Sequence, residues 1–162
     1  MAETDEALRR ARALFTEAYH LQMAGQLDAA VERYQASIAC HPTAEAHTFL
    51  AWTYSFQDRL DDAIDECKKA IAVDPDFGNP YNDIGSYLFK QGKLDDAIPW
   101  LERAIAAKRY EPRHFPHCNL GRIYWAKGML NRAIAEFERA LELDATSRFA
   151  QGALAAIRLQ LH

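Results

Sequence analysis

The strongest constraint on this chain is that it repeats itself. Four stretches align: GQLDAAVERYQASIACHP from Gly25, DRLDDAIDECKKAIAVDP from Asp58, GKLDDAIPWLERAIAAKR from Gly92 and GMLNRAIAEFERALELDA from Gly128. Their starts lie 33, 34 and 36 residues apart. A segment with helical spacing of apolar residues precedes each one: Leu14/Ala18/Leu21, Leu50/Ala51/Tyr54, Ile84/Gly85/Leu88 and Leu120/Gly121/Tyr124. Each repeat therefore reads as two amphipathic helices joined by a tight turn. Such a pair cannot bury its apolar faces alone, so the units must stack into one continuous core.

The steric pattern within the repeats narrows the fold further. Setting the turn glycine at position 15 starts the repeats at Ala11, Ala44, Gly78 and His114. Positions 8, 20 and 27 are then small throughout: Ala18, Ala30 and Ser37; Ala51, Ala63 and Ala70; Gly85, Ala97 and Ala104; Gly121, Ala133 and Ala140. Close helix crossings need such residues, because a large side chain would overpack the contact. Position 24 is larger in three repeats, as Tyr34, Leu101 and Phe137, with Cys67 a small core residue in the other. Pro42 and Pro75 end second helices, where Arg109 and Ala145 stand in the later repeats. This pattern resembles the tetratricopeptide repeat (TPR).

The resemblance implies an all-α fold, a right-handed superhelical α-solenoid of four helix pairs plus a C-terminal capping helix. In a single domain 1–162 the repeats fall at about 11–43, 44–77, 78–113 and 114–147, with the cap at about 147–161. Ser147 is placed to start that cap, and Phe149, Ala153, Leu154, Ile157 and Leu161 form its apolar stripe. Thr4 to Arg10 extend the first helix, giving nine helices in all. Asp28, Asp61, Asp95 and Asn131 are expected as N-caps of the second helices. Gly25, Gly92 and Gly128 end the first helices, with Asp58 taking the same turn less favourably. Pro80 and Pro116 fall near helix starts, whereas Pro99 removes one backbone bond inside its helix.

In the family, partner peptides lie in a concave groove lined by the first helix of each pair. Carried over by position, the resemblance places Phe15, Tyr19, Trp52, Phe56, Asn82, Phe89, Arg122 and Trp125 there. That set is rich in aromatics for a face that meets water, the composition of a binding surface. Asn82 and Arg122 carry donors suited to a peptide backbone or carboxylate. The longer third junction is basic and proline-stiffened, so Lys108, Arg109 and Arg113 are candidate contacts at the groove's rim. The alternative occupant of the groove is the chain's own aromatics or terminal helix.

Chaperone-docking members hold carboxylates with cations and asparagines at fixed positions. Here those positions carry Phe15, Tyr19, Phe49, Asn79 and Asp83, with no cation among them. Asp83 would repel a carboxylate. A carboxylate clamp is therefore not expected.

The remaining features exclude other classes. A formal charge of −4 argues against a nucleic-acid partner, and no apolar run is long enough to span a membrane. The acidic start lacks the order of a signal peptide, and three scattered cysteines without a CxxC pair fit free thiols in a reducing, cytoplasmic setting. His114, His117 and Cys118 have a metal-compatible spacing but no second cluster, so no metal is expected. No phosphate loop or nucleophile motif occurs, and Asp61-Asp62 and Asp95-Asp96 sit where helix starts explain them. The reading is a non-enzymatic, cofactor-free adaptor that binds another protein or peptide. Its alternative is a subunit that self-associates through its ends or C-terminal helix.

Overall fold

In a computed structural model, which describes residues 1–162, the chain forms nine helices. They are α1 (Ala2–Met23), α2 (Leu27–Cys40), α3 (Ala44–Phe56), α4 (Leu60–Val73), α5 (Asn79–Lys90), α6 (Leu94–Ala106), α7 (His114–Ala126), α8 (Leu130–Leu143) and α9 (Arg148–Gln160). Helices α1/α2, α3/α4, α5/α6 and α7/α8 are the four pairs of an α-solenoid, and α9 closes the last. Successive odd-numbered helices also touch, α1 to α3, α3 to α5 and α5 to α7. They form one layer of the stack.

The turns within pairs follow from backbone sterics. Gly25, Gly92 and Gly128 have φ of 79°, 77° and 74°, and Asp58 takes the same left-handed conformation at 59°. Each turn closes with a bond from the next residue back across the helix end, such as Met129 N–H to the Tyr124 carbonyl at 2.8 Å. This closure lets the second helices begin two residues after the turn residue, at Leu27, Leu60, Leu94 and Leu130. Asp28, Asp61, Asp95 and Asn131 are therefore the second residues of their helices, and the expectation that they are N-caps is corrected. Their acidic members still favour the helix dipole. They also tie repeats together: Gln57 donates to Asp28 at 2.7 Å, Gln91 to Asp61 at 2.8 Å, and Lys127 pairs with Asp95.

Inside each pair, position 24 explains why position 8 is small. Tyr34, Cys67, Leu101 and Phe137 are all fully buried. A Cβ added at Gly85 would lie 2.4 Å from Leu101 Cδ2, and one at Gly121 would lie 2.7 Å from the Phe137 ring. Glycine at position 8 thus admits a large partner on the second helix. Pro99 lies inside α6, which continues through it to Ala106.

Ser147 caps α9 by accepting from the Ala150 N–H at 3.3 Å. The buried stripe of α9 is Ala150, Ala153, Leu154 and Ile157. Phe149 and Leu161 are both 51% exposed, so the expected stripe is shifted by one residue at its start and ends earlier.

Candidate functional site

The odd-numbered helices gather the candidate residues into two groups. On α1 and α3, Phe15 meets Phe49 edge-on at 5.2 Å, Tyr19 meets Phe49 at 6.0 Å, and Phe49 meets Trp52 at 5.8 Å. Trp52 then meets Phe56 at 5.1 Å. Phe15 and Phe49 lean on buried Tyr34 and anchor this row, whereas Tyr19, Trp52 and Phe56 remain 38%, 36% and 56% exposed. Rigid rings fixed from below and open above keep little rotamer freedom to lose on binding.

The second group spans α5, α7 and α9. Phe89, Arg122, Trp125, Ala126 and Phe149 line an open pocket of about 420 Å³. The Arg122 guanidinium stacks over Phe89 at 4.4 Å and lies 5.7 Å from Phe149. Trp125 packs against Phe137 and donates its indole N–H to Gln160 at 3.1 Å. The terminal helix therefore contributes Phe149 and Gln160 to this end of the groove without filling it.

Asn82 lies between the groups but is turned inwards. It is buried, and its side-chain oxygen accepts from Asn119 at 2.9 Å, tying α5 to α7. Beside it, Asp83 lines a smaller cleft of about 150 Å³ with Thr48, Phe49, Trp52 and Asn79. Phe49, Asp83 and Phe149 line these pockets from outside the positions that the resemblance carries over. Phe49 is adjacent to an expected position, and Asp83 signalled only what it would repel.

The basic junction is largely occupied by its own chain. Arg109 pairs with Asp74, reaches Glu45 at 3.7 Å and stacks over Phe77. Its backbone bridges to Asp76 and Gly78. Arg113 donates to the carbonyls of Ile105 and Ala107, satisfying the end of α6. Tyr110 is buried against Gly78. Arg109 and Arg113 thus brace the loop, while Lys108 is exposed and its side chain enters none of the chain's ion pairs or hydrogen bonds.

The histidines flagged by spacing part company. His117 pairs with Glu136 at 2.7 Å, and His114 approaches Asp144 at 3.5 Å. His47, at the equivalent place in its repeat, pairs with buried Glu66 at 2.7 Å.

Family models described as tetratricopeptide repeat match residues 15–80 and 76–146. The chain belongs to the tetratricopeptide-repeat family. Small glutamine-rich tetratricopeptide repeat-containing protein 2 of Mycosarcoma maydis is 30% identical over 103 residues, which is 63% of this chain and 29% of that protein. The chain thus spans less than a third of that curated relative. Pseudomonas aeruginosa pilF shares the TPR fold with a TM-score of 0.87 at 23% identity, covering 97% of this chain and 70% of that one. The first TPR of Spaghetti (RPAP3), solved bound to the HSP90 peptide SRMEEVD, superposes with a TM-score of 0.67 at 25% identity. That match covers 74% of this chain and 93% of the other. No helix of this TPR chain is long and apolar enough to cross a membrane.

Electrostatics single out Asp83 in the TPR groove. Burial pushes its carboxyl up to about 7, against the pull of a hydrogen bond from Asn82 and the charge of Lys90. An unfolded chain releases this proton at the ordinary, lower pKa. The folded state is therefore favoured while it keeps the proton, and that advantage is lost as pH rises through about 7. Asp83→Asn should leave the melting temperature almost unchanged at about pH 4 and raise it at about pH 8. Thermal melts across that range check this; a gap that does not grow with pH would contradict it.

Proposed function

We propose that the chain is a protein-interaction module whose concave face takes an extended or helical segment of a partner protein. The observation that carries this reading is the aromatic row on α1 and α3, held from below by Phe15 and Phe49 and left open at Tyr19, Trp52 and Phe56. Exposed aromatics clustered beside a concave surface are the usual anchors of recognition. Phe89, Arg122 and Trp125 supply a second anchor point, with Arg122 offering donors to a partner's carbonyls or carboxylates. Asn82 serves the groove indirectly, by holding α5 and α7 in register. Lys108 is free to meet an acidic rim of the partner. The segment bound differs from a carboxylate-clamp ligand, because Phe15, Tyr19, Phe49, Asn79 and Asp83 bring no cation to those positions. We read the chain as an adaptor without catalysis, acting in the cytoplasm.

The test is capture from the source organism's lysate with immobilised wild type and with the Trp52→Ala, Phe56→Ala double variant. Both side chains are exposed, so circular dichroism should be unchanged. A protein retained by wild type and lost by the variant is the expected result. The same proteins on both would contradict the groove reading. Retention only of further copies of the chain would favour the second reading, self-association through α9. Leu159 and Leu161, 79% and 51% exposed near its end, are the observation behind that alternative.

A further inference from the structure

We propose that the cleft between α3 and α5 recognises a basic side chain, the ammonium of a lysine or the guanidinium of an arginine, carried by the partner segment. This rests on the groove reading above and names the chemistry of one subsite within it.

Two complementary groups meet in this cleft, and neither is paired with a charge of its own chain. The first is the Asp83 carboxylate. None of the chain's ion pairs uses it. Lys90, on the same helix, has its ammonium 5.8 Å from the Tyr87 ring centre instead. The second is the Trp52 indole, with Phe49 beside it. Elsewhere the chain covers its aromatics with its own cations: Arg103 and Lys68 over Trp100, Arg59 over Tyr54, Arg122 over Phe89, Arg132 over Tyr124. No such cation lies over Trp52 or Phe49. A carboxylate beside an indole, both open to a cleft of about 150 Å³, is a setting for a cation held by charge and by the ring quadrupole.

Other occupants fit less well. A carboxylate would meet Asp83 as a like charge. An apolar side chain would seal the carboxylate away from water with the Asn82 hydrogen bond but no paired cation, which is costly. Thr48 and Asn79 complete the lining with neutral polar groups; the Thr48 hydroxyl already donates to the Ala44 carbonyl, leaving an oxygen that accepts. The ionisable groups that feel Asp83 are Cys67 of α4, Tyr87 and Lys90 of α5, and Tyr110 of the following junction. Lys90 is the one cation among them. Burial in the cleft holds the Asp83 carboxyl near a pKa of about 7. A cation restores the ionised form, so binding expels a proton near neutral pH and weakens as pH falls below that value.

A phage-displayed library of random peptides, selected on the wild-type protein and counter-screened on the Trp52→Ala, Phe56→Ala variant, provides the probes. Peptides that depend on these aromatics should share a lysine or arginine at one position. Replacing that residue by norleucine in a labelled synthetic peptide should weaken binding about thirtyfold or more in fluorescence polarisation. Asp83→Asn should cause a similar loss, and norleucine should then cost little more. Affinity of the wild type for the lysine peptide should rise between about pH 6 and about pH 8, while that of D83N stays flat. Aromatic-dependent peptides with no basic position, or equal binding by D83N, would overturn this inference and leave the groove reading standing. If no selected peptide depends on Trp52 and Phe56, both readings fall.

Discussion

Phe137→Ala is expected to cost about 3–5 kcal/mol of stability, the upper range for emptying a well-packed aromatic site. The ring is fully buried, lies over the bare Cα of Gly121, and meets Trp125 and Phe149 edge-on at 6.4 and 5.9 Å. Glycine cannot fill the space the ring vacates, so the cavity will collapse little. Because a repeat array is held by nearest-neighbour contacts, the loss should concentrate in α7, α8 and α9 rather than spread evenly. Amide hydrogen exchange should therefore show these three helices opening first, with α1 to α4 still protected. The pocket around Arg122 would loosen with them, since two of its walls rest on this ring. A uniform loss of protection along the chain would contradict this account.

His47→Ala should cost about 2–4 kcal/mol at neutral pH, although it removes a polar side chain. His47 and Glu66 are both buried, with Nδ1 and Oε1 2.7 Å apart. Burial pushes the Glu66 carboxyl up, but hydrogen bonds from His47 and Lys69, with their charges, outweigh it and hold it below the ordinary range. A depressed carboxylate pKa stabilises the fold above the ordinary value, and this is lost as pH falls through the folded one. Removing His47 leaves a buried carboxylate with Lys69 alone, 3.1 Å away. The deficit should shrink in acid, where Glu66 takes a proton, and part of it should return in the His47→Ala, Glu66→Ala double variant. Urea denaturation of the three proteins measures this. Equal cost for single and double variants would deny the coupling. His117 and Glu136 repeat the arrangement with a half-buried pair, for which a smaller effect is expected.

Features governed by local sterics and period were legible in the sequence. The small residues at the close crossings, the left-handed turn at Asp58 and the spare-position prolines each follow from a few neighbouring residues. The helix starts were misplaced because the turn closure, not a side-chain cap, sets where they begin. What escaped the sequence depends on partners from other repeats. Nothing near Asn82 in the chain announces Asn119 as its partner, and nothing near Arg113 shows that the open carbonyls of α6 would take it. The groove aromatics could be assigned by position, but Phe149 could not. Two neighbouring stripes of α9 are both apolar, and packing against α8 chooses between them.

If a partner binds the layer of odd-numbered helices, the three tryptophans report it. Trp52 and Trp125 stand in the groove, while Trp100 lies on α6 among Tyr81, Arg103 and Lys68. Each indole N–H gives a resolvable signal in a ¹⁵N-correlated spectrum, so titration with a captured partner or selected peptide reports all three sites at once. The Trp52 and Trp125 signals should move together, with saturation at the same concentration, while Trp100 stays in place. Movement of Trp100 with Trp52 and Trp125 unchanged would place binding on the opposite face and contradict the groove reading.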